Sequence, residues 1–312
     1  MRSAVLLYNP LSGNGQEKRR HQMDAVLEVL RNARVETQCY ATRSGLDTTE
    51  QTRQAVAAGY DAVFACGGDG TVHDVLQGLV GTQTSLGVIP MGTGNILAYN
   101  LGLPLRPTRA VLAALSGIAR KVTVGKIEYQ DLAGNAASRY FMVVAGIGVD
   151  AHLFHQVNPR AKRSLGMTSY YTKATYVWLT HRMQEFQVEF IDGSGTKTSC
   201  SDVTQLLAVR VRHFGSLMRE LAPGASLDRS DLRLVLFRTQ RRIPYLQYVA
   251  RCILRTKWEI RGIESADSQQ ISCSQSPKSS QIFVEADGEF LGTLPAKISM
   301  MPDAVTLLAP RQ

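Results

Sequence analysis

The chain has 312 residues, 44% hydrophobic and 20% charged, about two ordinary domains in length and too apolar to be largely disordered or fibrous. It has 35 basic against 26 acidic residues, a formal net charge of +9. No apolar run approaches the ~18 residues of a transmembrane helix, Ala4–Tyr8 is stopped by Asn9-Pro10 short of a signal-peptide core, and the five cysteines form no CxxC pair, so the expectation is a soluble cytoplasmic protein with neither a disulfide framework nor a zinc site.

In chain order, residues 4–8 (AVLLY) read as a buried strand and Asn9–Gln16 as a glycine-rich turn. Met23, Val26, Leu27 and Leu30 then mark a helix over 17–33. A strand over 35–41 and a helix over 48–58 follow. Ala62–Ala65 is a short strand running into Cys66-Gly67-Gly68-Asp69-Gly70-Thr71. Val72, Val75, Leu76, Leu79 and Val80 continue at helical spacing. Leu86–Ile89 reads as a strand, Pro90–Asn95 as a turn and 96–101 as a helix. Strands alternating with helices imply a doubly wound parallel sheet, whose ligands sit at the carboxyl ends of the strands. The three glycine-rich turns each follow a strand, so they share that edge.

After about residue 121 the texture changes. Strands are expected over 122–129, 140–144, 187–191, 205–211, 232–237, 281–286, 296–300 and 305–308, giving a mainly β second half. Residues 264–280 are polar and serine-rich, with a strand possible only at QQISC. Residues 155–182 and 239–261 each carry a net charge of +5, while the rest of the chain sums to about −1. Both tryptophans, Trp178 and Trp258, and five of the eleven tyrosines fall in these two segments. Cations beside Trp and Tyr suit an anionic membrane interface; two solvated helices with aromatic core faces are the plainer alternative. Nothing resembles a zinc finger or an RNP-like aromatic motif, so nucleic acid is not expected as a partner.

The strongest motif is Gly67-Gly68-Asp69-Gly70-Thr71. Glycines let the backbone approach a phosphate closely, and the helix that follows offers free N–H groups and the positive end of its dipole. Asp69 could orient a hydrated magnesium ion on the phosphates, and Thr71 could cap the helix. The spacing fits neither GxxxxGK[ST] nor GxGxxG. Gly92-Thr93-Gly94-Asn95 and Asn9-Pro10-Leu11-Ser12-Gly13 are weaker alone and more specific in series.

That series, NPxSG, GGDGT and PxGTGN, resembles the diacylglycerol kinase catalytic superfamily. The chain is most similar to its soluble bacterial lipid kinases, and more distantly to sphingosine and ceramide kinases. The likeness extends through Gly146–Ala151 (GxGxDA), Ala161–Tyr171 and Val284–Glu289 (VEADGE), nearly the whole chain. It implies an α/β Rossmann-like nucleotide domain over 1–123 and a β-rich, sandwich-like lipid domain over 124–312. The last strand could return to the first domain, and the active site is expected in the cleft between the two. The implied activity is ATP- and magnesium-dependent phosphorylation of a diacylglycerol-like or sphingoid lipid, with peripheral membrane contact through 155–182 and 239–261.

Carried over by residue, Asn9, Gly13, Gly68, Asp69, Gly70, Thr71 and Thr93 would contact the nucleotide phosphates or their metal. Thr42 and Asp74 are looser matches. Asp287 and Glu289 fall on the motif that supplies the proton acceptor. Asp228 and Asp231, with a carbonyl near Arg233, are the candidates for a structural magnesium site. Two family aspartates are replaced here, by Ile96 and by Thr123, and Asp150 is one acid that could substitute. An NAD kinase-like enzyme and a catalytically weak nucleotide- or lipid-binding relative are the alternatives. Oligomeric state stays open, a homodimer included.

Overall fold

The computed structural model describes residues 1–10, 16–156, 183–214, 220–256, 258–277 and 281–311. The chain divides into two compact units, one of 1–124, 213–216 and 301–312, the other of 125–212 and 217–300.

The first unit alternates β1 (Ser3–Tyr8), α1 (Gln16–Asn32), β2 (Glu36–Ala41), α2 (Gly45–Ala57), β3 (Ala62–Gly67), α3 (Asp69–Leu79) and β4 (Ser85–Pro90), then α4 (Ile96–Asn100) and α5 (Pro107–Ser116). Its strands are parallel, in the order β2–β1–β3–β4, and the chain's last residues join beside β4 with Thr306 opposite Ser85. β1 and β3 are fully buried over Val5–Leu7 and Val63–Cys66, the continuous apolar run of a strand covered on both faces. Met23, Val26 and Leu30 of α1, with Val111 and Ala114 of α5, close one face. On the other, a Cβ at Gly78 of α3 would lie 2.6 Å from the Thr52 side chain of α2, so glycine lets these helices approach closely. The strand order reverses between β1 and β3, so their carboxyl ends flank the crevice where such sheets hold ligands.

β5 (Ile118–Gln130) leads into the second unit, followed by β6 (Ala136–Phe141), β7 (Val144–Gly148), α6 (Val149–Gln156), β8 (Phe186–Ile191), β9 (Lys197–Val203), β10 (Gln205–Val209) and β11 (Leu232–Phe237). Helix α7 (Arg242–Leu254) precedes β12 (Ile263–Ser268), β13 (Gln270–Gln275), β14 (Phe283–Ala286) and the long β15 (Glu289–Ala309). One run of antiparallel strands is β12–β11–β10–β7–β14–β15, and another leads from β15 through β13 and β8 to β9. Inward side chains of this unit, among them Phe141, Phe186, Leu206, Leu234, Ile271 and Val284, form one core, as in a sandwich.

Several segments differ from the sequence expectation, among them α5 and β9, which it did not contain. The polar stretch after residue 263 forms two strands, because Ile271 and Cys273 alternate inward while serines and glutamines face out. The two strands expected over 296–300 and 305–308 are one. The strand expected over 140–144 resolves into the end of β6 and the start of β7.

Candidate functional site

In the first unit, the turns after β3 and β4 touch. A Cβ at Gly92 would collide with the Cα of Gly68, and one at Gly68 would lie 3.3 Å from the Cα of Gly92. At Gly92 this approach requires glycine, and at Gly68 it leaves a side chain little room. Asp69 bridges the two turns: its Oδ1 accepts the Ile96 N–H at 2.6 Å and the Leu97 N–H at 3.4 Å, capping α4, while Oδ2 lies 2.7 Å from where a Gly94 Cβ would stand. Asn95, at φ +49°, closes its own turn by accepting from Gly92 N–H at 2.9 Å and donating to Gly92 O at 2.8 Å. Gly68 is the N-cap of α3 and makes no side-chain cap bond to the helix's first amides, so the positive end of the helix that starts at Asp69-Gly70 faces the turn. Thr71 packs its side chain on Gly67, and Thr93 is exposed.

The looser candidates flank these turns. Thr42, buried at the end of β2, donates its N–H to Tyr8 O at 2.9 Å, which places it beside Asn9. The Asp74 carboxylate lies against Gly45, 2.6 Å from where a Cβ would stand, at the first turn of α2. Gly13 lies outside the described residues.

A cation that the sequence reading passed over also reaches this edge. Arg19 of α1 is 5% exposed and donates to Met91 O at 2.8 Å, next to Gly92. Burial lowers its pKa. Arg19, Met23, Val26 and Leu30 share one helical stripe. A cation on a core-facing stripe was the available signal.

In the second unit, Asp287-Gly288 joins β14 to β15 as a two-residue hairpin loop, at φ +51° and +81°. That is the pattern of a type I′ turn, which Asp-Gly favours. The Asp287 carboxylate accepts three successive backbone N–H groups, from Met142 at 3.0 Å, Val143 at 2.9 Å and Val144 at 3.1 Å. It therefore ties the turn to the start of β7. Glu289, one step past the turn, is exposed. Of the two acids, Glu289 is the one presented to solvent, and Asp287 is the anchor.

Behind the turn, Asp150, half-buried, meets a buried acid that the sequence did not single out, Glu285. Glu285 is 0% exposed, accepts the Gly288 N–H on Oε2 at 2.9 Å, and leaves Oε1 without a hydrogen-bond partner. A Cβ at Gly146 would lie 2.6 Å from that Oε1 and 3.1 Å from Asp150 Oδ2, so both carboxyls converge over Gly146. Burial, and then Asp150, push Glu285 well above the usual carboxyl range, and burial pushes Asp150 up to about 6. One proton held between them is the state the surroundings favour.

Comparison with known proteins accounts for both units. Residues 3–127 match the diacylglycerol kinase catalytic domain, and 143–309 match the YegS C-terminal NAD kinase beta sandwich-like domain. A diacylglycerol kinase of Mycobacterium tuberculosis is 30% identical over 312 residues, covering 98% of this chain and 94% of that protein. The chain belongs to the diacylglycerol kinase family. The diacylglycerol kinase of Bacillus subtilis is 26% identical, covering 100% of this chain and 98% of its own. In fold, a diacylglycerol kinase structure from Bacillus anthracis superimposes with a TM-score of 0.71 at 17% identity, over 99% of this chain and 96% of that one. Yeast NADH kinase aligns more loosely, with a TM-score of 0.50 at 8% identity, over 100% of this chain and 84% of that one.

The chain is thus a lipid kinase by family, and its departures can be read in place. Ile96 stands at the start of α4, where Asp69 caps the helix in the absence of a local acid. Thr123 is half-buried in β5.

Arginines surround the candidate structural metal residues. Asp231 accepts a forked pair of bonds from Arg229, at 2.6 and 2.8 Å. The Arg233 side chain donates to Pro223 O at 2.9 Å and to Asp267 at 2.7 Å. Arg210, fully buried, donates to Arg229 O at 3.0 Å and Leu227 O at 3.3 Å. Burial brings its pKa down to about 10, against Asp231, Asp287 and Asp228, which raise it. Positive charge among these acids comes from the protein's own arginines. Among the described residues, no group of three or more His, Cys, Asp or Glu side chains is placed to hold a metal ion; the site that the resemblance implies, two carboxylates and a carbonyl, is smaller than such a group. Arg210, absent from the sequence reading, links this loop electrostatically to the Asp287 turn.

Proposed function

We propose that this protein transfers the γ-phosphate of ATP to a hydroxyl of a diacylglycerol-like or sphingoid lipid at a membrane surface. The observation that carries this reading is the contact of two glycine turns at the ends of β3 and β4, clamped by Asp69 and opened by the N-terminus of α3. Asn9, Gly68, Gly70, Thr71 and Thr93 would line the phosphate path, with Thr42 and Asp74 at its flank, and the family resemblance adds Gly13. Magnesium carried by the triphosphate would supply counter-charge to its oxygens, with Asp69 as the acid that orients it.

In the transfer, the lipid oxygen bonds to the γ-phosphorus as the bond to the ADP oxygen breaks. Glu289 takes the hydroxyl proton, and ADP leaves. Asp287 acts through the turn it anchors. A positioned base contributes about 10²–10⁴-fold. Transfer of labelled phosphate to diacylglycerol is the test: Glu289→Gln and Asp69→Asn should each lose about 100-fold or more with unchanged thermal unfolding. Full activity in both variants would remove the assignment.

The looser fold likeness to NADH kinase keeps a second reading testable. NADP formed from NAD and ATP, with no labelled lipid, would favour it. The replaced residues Ile96 and Thr123 are the basis of a third, in which vesicles and nucleotide bind without transfer under any divalent metal. Membrane contact in the leading reading uses the basic segments 155–182 and 239–261. The first lies almost wholly outside the described residues, and the second contains α7.

A further inference from the structure

Helix α7 has two apolar faces. Tyr245, Tyr248 and Cys252 face the core: the Tyr245 hydroxyl meets Thr204 Oγ1 at 2.7 Å, and the Phe237 ring lies 4.6 Å from Tyr245 and 4.9 Å from Tyr248. These contacts fix the helix's rotation. The tyrosines of this segment are therefore core, not interface. The outward face is aliphatic instead: Ile243 is 67% exposed, Leu246 50%, Val249 45%, Ile253 40% and Leu254 62%. At about 100° per residue these five fall within an arc of roughly 140°.

Exposed apolar residues scattered singly need no explanation. Here they cluster. Of fifteen large hydrophobic side chains exposed among the described residues, six lie between 243 and 258, the sixth being Trp258 at 46%. A patch of this kind marks an interaction surface. The charge around it selects the partner. Arg241, Arg255 and Arg261 are exposed with only Glu259 opposing them in the segment, while Arg251 lies over the Tyr248 ring at 4.8 Å. In a symmetric pairing of two copies, the same patch meets itself, so these arginines would face like charge. An anionic lipid surface presents the opposite charge and an apolar interior just beneath it.

We infer that α7 lies in the plane of an anionic bilayer, its Ile243–Leu254 face sunk to the boundary between headgroups and acyl chains, with Trp258 at headgroup depth and the flanking arginines on lipid phosphates. This deepens the lipid-kinase reading and rests on it for the physiological acceptor, because such a lipid lives in that bilayer. Hold on the membrane comes chiefly from aliphatic insertion, with charge as a supplement.

The test is sedimentation of the full chain with phosphatidylcholine vesicles with and without phosphatidylglycerol. The wild type should bind the anionic vesicles, weaken from about 0.05 M to about 0.5 M salt, and keep a salt-resistant remainder. Leu246→Glu with Ile253→Glu should lower affinity at least tenfold at every salt. Arg255→Gln with Arg261→Gln should lower it mainly at low salt. Both pairs should keep the wild-type unfolding temperature and the wild-type rate on a water-dispersed short-chain diacylglycerol. The inference is overturned if the wild type does not bind, if the acidic pair binds as tightly as the wild type, or if that pair instead splits a dimer with vesicle binding untouched. Absence of transfer to any lipid, with the vesicle pattern intact, would remove the kinase reading and leave the docking surface standing.

Discussion

Gly92 shows how much a single position constrains the nucleotide end. Its missing side chain is the space that Gly68 occupies, so an added methyl group must push two strand ends apart. Overpacking of this kind costs about 1–3 kcal/mol, and here the displaced atoms are backbone, which does not swing aside. Gly92→Ala should unfold at lower temperature and lose the stabilisation that ATP with magnesium gives the wild type; differential scanning with and without nucleotide reads both. Equal nucleotide-induced shifts in the two proteins would show that the contact is not part of a phosphate cradle. The glycines of this edge were legible because a run of them after an apolar strand has few other uses. Arg19 and Arg210 were not. A buried arginine looks like any surface cation until the helix face or strand face it occupies is known, and Arg210 sits in a strand-end sequence, Ala208-Val209-Arg210-Val211, where its inward direction depends on register with β7 and β11.

At the scale of elements, the β14–β15 hairpin assigns different work to two acids that the sequence presents as equals. Asp287 accepts three backbone N–H groups that would otherwise lie unbonded at the start of β7, whereas Glu289 projects to solvent. Leaving buried donors unsatisfied costs about 1–3 kcal/mol. Asp287→Ala should therefore lower stability to urea by about that amount and reduce turnover through the displaced turn. Glu289→Gln should reduce turnover with no change in the urea midpoint. Matching midpoints for the two variants would contradict the division. The DGE spacing made the hairpin readable, since Asp-Gly is the preferred two-residue loop. Which carboxylate is tied down was not readable, because the amides it binds lie about 145 residues earlier in the chain, at 142–144.

For the whole molecule, the alternation of strand and helix and the glycine turns fixed the first unit's parallel sheet, and the loss of helical period after about residue 121 signalled the β-rich second half. Pairing partners were beyond reach: strands as polar as β12 and β13 are strands because neighbours supply their hydrogen bonds and a place for Ile271 and Cys273. The same long-range assembly creates the Asp150–Glu285 pair, and with it a pH dependence for the entire fold. Both carboxyls titrate higher in the folded state than in the unfolded chain, Asp150 at about 6 and Glu285 well above its ordinary value. The folded protein therefore holds protons that the unfolded chain has already released. Stability from these groups is complete below about pH 4 and is lost as pH rises through the folded values. Acids held below their ordinary range, such as Asp202 beside Arg238 and Glu128 beside Lys126, act in the opposite sense and at lower pH, so they do not mask the effect above pH 5. Unfolding free energy from urea melts should fall between about pH 5 and pH 7 by on the order of 2 kcal/mol. Glu285→Gln, which can still accept the Gly288 N–H, should flatten that fall, and Asp150→Asn should do the same. Histidine titration is common to all three proteins and cancels in the comparison. A slope identical in wild type and both variants would mean that the two carboxyls do not share a proton over Gly146.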